Sequence, residues 1–194
     1  MTEKQIERIR AKIKKIRSAL AAERRRFGGY DDSRGLRYLP PKLFVKIGDY
    51  KGGLTYVRWF KKNFPDDIGF PDFLFEWTII LFQNNKIIDA ERKALATYFS
   101  NTYILDKFFG REIIPIQKSE LSNIERPEFC EYFDYSANTL GLPDFIKWLE
   151  KFEKTERFKT ITKKFIGLHK LLLDEQDYET RKLIIDQEQK LIDF

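Results

Sequence analysis

Apolar residues recur along most of this chain at steps of three and four positions, which is the spacing of one face of an α-helix. The first segment shows it best, with one apolar stripe formed by Ile6, Ile9, Ile13, Ile16 and Leu20. Thr2 and Gln5 have the spacing of a capping box, and Gly28-Gly29 supplies a stop. The pattern predicts an amphipathic helix over residues 1–28.

Later segments keep the helical period, and none alternates with the period of two that is typical of strands. Prolines, glycines and polar turns separate them. The predicted helices are 41–47, 51–64, 71–84, 87–100, 103–109, 127–138, 143–153, 155–173 and 178–192. Residues 111–126 contain a proline and no sustained period, which predicts a connector. The predicted fold class is all-α.

Two consecutive helix pairs share one pattern. In the first pair, Gly48-Asp49-Tyr50 falls in the turn, Gly53 is a small residue early in the second helix, and Pro65 closes the pair. In the second pair, Asn84-Asn85 falls in the turn and Ala90 takes the small position. A small residue lets two antiparallel helices that are joined by a tight turn cross near contact.

With this pattern, residues 31–110 resemble tetratricopeptide-repeat (TPR) proteins, in particular divergent bacterial members. The helix signature of the family, Trp, Leu-Gly and Tyr, is replaced in the first pair by Arg37, Pro40-Pro41 and Phe44. The resemblance implies antiparallel helical hairpins that stack as a short TPR-like solenoid.

The predicted organisation has three segments within one compact domain. The basic helix 1–28 precedes the TPR-like hairpins 31–110, and a C-terminal helical segment, 127–194, covers the open end of the stack. A last hairpin needs such covering because its apolar face would otherwise be exposed.

The resemblance also implies a function, which is a non-enzymatic scaffold or adaptor that binds a protein or peptide. In TPR geometry the first helix of each pair lines the concave surface. The residues that this places in a predicted groove are Tyr38, Lys42, Lys46, Phe75, Ile79 and Gln83. A groove of aromatic and lysine side chains suits an extended acidic peptide.

Charge is concentrated at the start of the chain. The net charge is +6, but residues 1–28 contain ten Lys and Arg against three Glu, so the remainder is close to neutral. A basic face off the apolar stripe is formed by Lys12, Lys14, Lys15, Arg17, Arg24, Arg25 and Arg26. Three interpretations stay open: the helix packs on the next hairpin with its cations in solvent, it pairs with a second copy as a homodimer, or it docks on nucleic acid or an anionic membrane.

Candidate catalytic and metal-binding residues are scarce. His169 is the only histidine and Cys130 the only cysteine, and each lies among apolar residues, so both are interpreted as structural. They cannot build a zinc site, and the acidic pairs Asp31-Asp32 and Asp66-Asp67 are interpreted as groups that stabilise helix N-termini. No glycine-rich phosphate loop is present. The sequence therefore predicts no enzyme, no metal and no cofactor. The alternative is an enzyme whose site is made of carboxylates and lysines spread over several helices, because such a site has no local signature.

Two further features bear on location. A single cysteine allows no internal disulfide, which fits a reducing compartment. The longest strongly apolar run, residues 73–82, contains Glu76 and is about half as long as a membrane span. The sequence predicts a cytoplasmic protein without a transmembrane segment.

Overall fold

The structure, a computed structural model, describes residues 1–30 and 32–192. Helix accounts for 72% of it and no strand occurs in this part of the chain, so the all-α prediction is confirmed. Asp31 and residues 193–194, which the predicted segments include, lie outside the described residues.

The helices begin and end close to the predicted positions. The α-helices are α1 (Glu3–Phe27), α2 (Leu39–Ile47), α3 (Tyr50–Asn63), α4 (Pro71–Gln83), α5 (Ile87–Ser100), α6 (Ile104–Phe109), α7 (Pro143–Glu153), α8 (Glu156–Asp174) and α9 (Tyr178–Ile192). Shorter 3₁₀ helices cover Leu36–Tyr38, Asn123–Glu125 and Pro127–Tyr132.

The α-helix predicted over residues 127–138 is wrong. The chain instead forms a six-residue 3₁₀ helix that ends at Tyr132, followed by irregular backbone. Cys130 and Phe133 are both buried, and a three-residue spacing puts them on the same side of a 3₁₀ helix. Further along, the Ala137 amide donates to the Phe108 carbonyl at 2.8 Å. This tertiary bond satisfies a group that a continuing helix would have paired internally.

Contacts along the chain divide it into two compact units, Met1–Ala90 and Glu91–Phe194, and the boundary falls within α5. The predicted division into residues 1–28, 31–110 and 127–194 stays a prediction.

In the first unit, α2, α3 and α4 pack against one another. Gly48 ends α2 with a φ of 68°, in the left-handed region that glycine tolerates, and the Asp49 side chain caps α3 by accepting from the Gly52 amide at 2.9 Å. A Cβ atom on Gly53 would lie 2.9 Å from the Ile80 side chain of α4 and 3.3 Å from Phe44 of α2. Gly53 is therefore a point of close helix approach.

Helix α1 packs on α2 through its apolar stripe. Ile13, Ile16 and Leu20 are buried, and Ile13 forms one cluster with Phe44 and Tyr56. The capping box at Thr2 is formed, and Gly28 ends the helix. The apolar stripe is packed within the unit from Ile13 onward, so these side chains are not exposed for pairing with a second copy of the chain.

Arg37 connects two turns of this unit. Its guanidinium contacts Asp32 at 3.3 Å and Asp67 at 2.7 Å, and it donates to the Tyr38 hydroxyl at 2.8 Å. Burial and the Asp67 carboxylate raise the pKa of Tyr38 to about 12. Asp32 also accepts from the amides of Leu36 and Arg37 at the start of a 3₁₀ helix, as the helix N-terminus interpretation expected.

Asp67 departs from that interpretation. It lies four residues before α4 and binds Arg37, the Tyr38 hydroxyl and the Gly69 amide instead of a helix N-terminus. The pair Arg37 and Asp67 is separated by thirty positions in sequence, which no local pattern indicates.

In the second unit, α8 and α9 pack together around His169. This side chain is 2% exposed, with Nδ1 2.9 Å from the Ser119 carbonyl and Nε2 3.3 Å from Glu188 of α9. Burial alone would lower the pKa of His169, but the Glu188 carboxylate and the Ser119 carbonyl outweigh it and raise the pKa above 6.5. Glu125 acts in the same direction.

This arrangement predicts a pH-dependent stability. Because the folded state raises the pKa of His169, the stabilisation is fully present below the unfolded pKa and is lost as the pH rises through the folded pKa. Urea unfolding at about pH 5.5 and about pH 8 should give a lower free energy of unfolding at the higher pH. Glu188→Gln should reduce this difference, and equal pH dependence in both proteins would contradict the assignment.

Candidate binding cleft of the N-terminal unit

A cleft of about 610 Å³ lies between α1 and α3 in the first unit. We call it the α1–α3 cleft. The residues of its α1 wall are Arg10, Ile13, Lys14, Arg17, Ser18 and Ala21. The other described residues that line it are Tyr30, Phe44, Asp49, Gly52, Thr55 and Trp59. The volume lies in the range of pockets that hold small ligands or single side chains of a partner.

The α1 wall follows from helical register. Arg10, Lys14, Arg17 and Ala21 are spaced by four, three and four residues, which places them on one face beside the buried stripe. The small side chains of Ser18 and Ala21 leave open the volume that a larger residue would fill. The sequence of α1 therefore puts cations at one end of this wall and space at the other.

The opposite wall follows from the register of α3. Asp49, Gly52, Thr55 and Trp59 are spaced by three, three and four residues. A Cβ atom on Gly52 would lie 2.7 Å from the Phe44 ring and 2.5 Å from an Asp49 oxygen. Glycine at this position lets α3 approach α2 while Asp49 caps the helix.

Aromatic rings form the floor of the cleft. Tyr30 and Trp59 meet edge to face with centroids 5.6 Å apart, and Trp59 packs on Tyr56 at 5.2 Å. Phe44 is 6% exposed and forms the buried base, whereas Trp59 is half-buried. An edge-to-face arrangement fixes the orientation of the rings, so the floor is preformed.

The electrostatics of the cleft are one-sided. Arg10, Lys14 and Arg17 are exposed on the α1 wall, and Asp49 is the one acidic residue among the described residues that line the cleft. Asp49 is already engaged with the Gly52 amide. The cleft therefore presents positive charge on one wall and apolar surface on the other.

The predicted groove residues lie elsewhere. Tyr38 is held in the Arg37 network, Lys42 and Lys46 are exposed on α2, and Gln83 is half-buried at the end of α4. The remaining two, Phe75 and Ile79, are 1% and 0% exposed. Helix α4 buries residues on all of its faces, so these two side chains do not line an open surface.

The residues of the predicted basic face have different surroundings in the structure. All seven residues are exposed: Lys12, Lys14, Lys15, Arg17, Arg24, Arg25 and Arg26. Only Lys14 and Arg17 line the α1–α3 cleft. Arg24 instead donates to Asn63 at 3.0 Å and lies over the Tyr30 ring, and Arg26 lies over the Phe27 ring.

Sequence reasoning missed Arg10, Tyr30 and Trp59 in the cleft. The register of Arg10 with Lys14 and Arg17 was a usable signal, since the three share one helical face. Tyr30 comes from the turn after α1, and its contact with Trp59 joins positions that are far apart in sequence. No local pattern encodes that contact.

Other classes of site are not found in residues 1–30 and 32–192. No group of three or more His, Cys, Asp or Glu in this part is placed to hold a metal ion. Within the same residues, no helix combines the length and apolar character needed to cross a membrane. No protein family profile, curated protein or solved structure matches the chain.

Proposed function

We propose that this protein is a non-enzymatic scaffold or adaptor, which holds a segment of another protein through the helices of its first unit. The observation that carries the proposal is the α1–α3 cleft, with its preformed aromatic floor and its row of exposed cations. A cytoplasmic location is part of the proposal.

A TPR-like stack is the architecture proposed for this unit. What supports it is the pairing of α2 with α3 through Gly48 and Asp49, the packing of both on α4, and the close approach at Gly53. The turn before α5 also has the expected form, because Asn85 adopts a φ of 56° and Asn84 donates to the Tyr50 carbonyl at 2.8 Å.

Binding, and not catalysis, fits the polar groups of the cleft. Catalysis by a nucleophile requires that group to be paired with a base. Here the Thr55 hydroxyl donates to the Lys51 carbonyl at 3.1 Å, and Asp49 accepts from the Gly52 amide. The lone histidine, His169, belongs to the second unit.

The test is affinity capture from the native cell with the full chain as bait, with and without nuclease. We expect a protein partner that survives nuclease treatment and that is lost with the charge reversal Arg17→Glu. Recovery of nucleic-acid complexes alone, all removed by nuclease, would overturn the proposal.

A second candidate is nucleic-acid binding through α1, favoured by the exposed basic face. Binding to phosphates weakens steeply with salt, by about 10³ to 10⁵ between 50 and 200 mM for 6–10 contacts. A mobility shift series with RNA and DNA across this range distinguishes the two. The nucleic-acid candidate expects a tight complex at 50 mM salt that weakens steeply towards 200 mM, whereas the scaffold proposal expects no tight complex at either concentration.

A further inference from the structure

We infer that the α1–α3 cleft takes an extended acidic segment of a partner protein, in which acidic side chains alternate with apolar ones. The inference rests on the proposed function, because it names the chemistry of the partner held at the same site. The α1 wall accounts for the acidic residues of this segment, and the opposite side of the cleft accounts for the apolar ones.

The α1 wall selects acidic side chains. Arg10, Lys14 and Arg17 are exposed, and none of them forms an ion pair or a side-chain hydrogen bond within the part of the chain that the structure describes. Their charges are therefore free to meet carboxylates. A partner that supplies these carboxylates gains charge-assisted hydrogen bonds without breaking existing ones.

The spacing of these cations suits an extended chain. A helix rises about 1.5 Å per residue, so Arg10 and Lys14 are about 6 Å apart along α1, and Lys14 and Arg17 about 4.5 Å. In an extended segment, alternate side chains point the same way at intervals of about 6.6–6.8 Å. Acidic residues at alternate positions can therefore meet Arg10 and Lys14 together.

The opposite side of the cleft selects apolar side chains. In an extended segment the residues between the acidic ones point away from α1. They face the side formed by Trp59, Tyr30 and Phe44. Trp59 is half-buried, so it still offers apolar area that a Leu or Phe side chain would remove from water.

A protein segment fits this cleft better than a nucleic acid does. A nucleic acid carries a phosphate on every unit, whereas the cations occupy one wall only. Asp49 on the other wall would repel a phosphate, and its carboxylate can accept from a peptide N–H. The one-sided charge therefore favours an alternating acidic and apolar peptide.

The test starts from a display library of random short peptides, selected on the full chain. We expect the recovered peptides to carry Asp or Glu at alternate positions with aromatic or aliphatic residues between them. The matched variants are Lys14→Glu and Lys12→Glu, which make the same change of net charge on α1. Lys14 lines the cleft, and Lys12 is exposed and does not.

One recovered peptide is then titrated against each protein. Affinity should fall about tenfold or more in Lys14→Glu and less than about twofold in Lys12→Glu. The chain has three tryptophans, so the indole N–H signals report the site by NMR. The signal of Trp59, assigned with Trp59→Phe, should move and that of Trp148 should not.

Three results would overturn the inference: no enrichment of acidic residues, equal weakening by Lys12→Glu and Lys14→Glu, or an unmoved Trp59 signal. If these occur while affinity capture still yields a nuclease-resistant protein partner, the proposed function stands and only the chemistry assigned to the cleft fails. If a single-stranded RNA moves Trp59 where the peptides do not, the occupant is nucleic acid.

Discussion

Gly53→Leu should lower the free energy of unfolding of the protein by about 3 kcal/mol, at the upper end of the range for overpacked cores. The Cβ atom alone would lie 2.9 Å and 3.0 Å from two carbons of Ile80 and 3.3 Å from Phe44. Leucine adds three more carbon atoms at a point where α3 already touches α2 and α4. Either the helices separate or the side chains leave their preferred rotamers, and both outcomes destabilise the unit.

Urea unfolding followed by far-UV circular dichroism measures this effect. The matched control is Gly167→Leu, since Gly167 lies within α8 with no atom within 4 Å of an added Cβ. There the gain in helix propensity should stabilise the protein by about 0.5–1 kcal/mol. The change in the free energy of unfolding in Gly53→Ala should lie between those of the two leucine variants. This variant keeps the prediction testable if Gly53→Leu does not fold. Equal effects of leucine at both positions would show that Gly53 is not a contact point.

Asn101→Ala should have an effect of similar size in the second unit, a loss of about 3 kcal/mol. Asn101 is 0% exposed, and its amide nitrogen donates to the carbonyls of Ile124 at 2.7 Å and Arg126 at 3.0 Å. Its oxygen accepts from the Tyr103 amide at 2.9 Å. Alanine would leave the buried Tyr103 amide and the half-buried Ile124 carbonyl without these partners, and each unsatisfied group costs about 1–3 kcal/mol. The Arg126 carbonyl would still accept from the Phe129 amide at 3.2 Å.

The labelling rate of Cys130, the single cysteine, tests this prediction close to the site of the substitution. Cys130 is 1% exposed and lies 3.6 Å from the Asn101 oxygen, and burial raises the pKa of its thiol to about 11. The reactive thiolate is therefore scarce and shielded in the wild-type protein. Thiol labelling should accelerate in Asn101→Ala, because the segment that contains Cys130 loses the contacts with Asn101 that hold it in place.

The control for this pair of measurements is Asn138→Ala. Asn138 is an exposed turn residue, so the same substitution should change the free energy of unfolding by less than about 0.5 kcal/mol. Labelling of Cys130 should keep its wild-type rate. An Asn101→Ala protein that matches Asn138→Ala in both measurements would show that the Asn101 network contributes no stability.

Local sequence patterns predicted the helices because each is encoded by a few neighbouring residues. The stripe of Ile13, Ile16 and Leu20 indicated the helix α1, and the glycine at position 53 indicated a close crossing of two helices. The α-helix predicted over residues 127–138 was wrong because distant groups determine the backbone conformation of that segment. Asn101 binds the Arg126 carbonyl just before this segment and contacts the Cys130 thiol within it, and the Phe108 carbonyl accepts from the Ala137 amide. Helical periodicity carries no information about these contacts.

The candidate site was predictable only in part. Lys14 and Arg17 were expected from the basic face of α1, but Tyr30 and Trp59 join them through tertiary packing. The TPR resemblance places Phe75 in an open groove, but its side chain is buried. The run of apolar residues at 73–82 already indicated otherwise, because a helix that is apolar on all sides is buried.

Arg37 has a consequence for how this chain can diverge. Its planar fork contacts two carboxylates, a hydroxyl and a carbonyl oxygen at once, and lysine, a point charge, cannot reproduce that geometry. An exchange that conserves charge at position 37 would thus not conserve the network. We expect the residues at positions 32, 37 and 67 to change together in related sequences, so that a substitution at one of them is accompanied by compensating substitutions at the others.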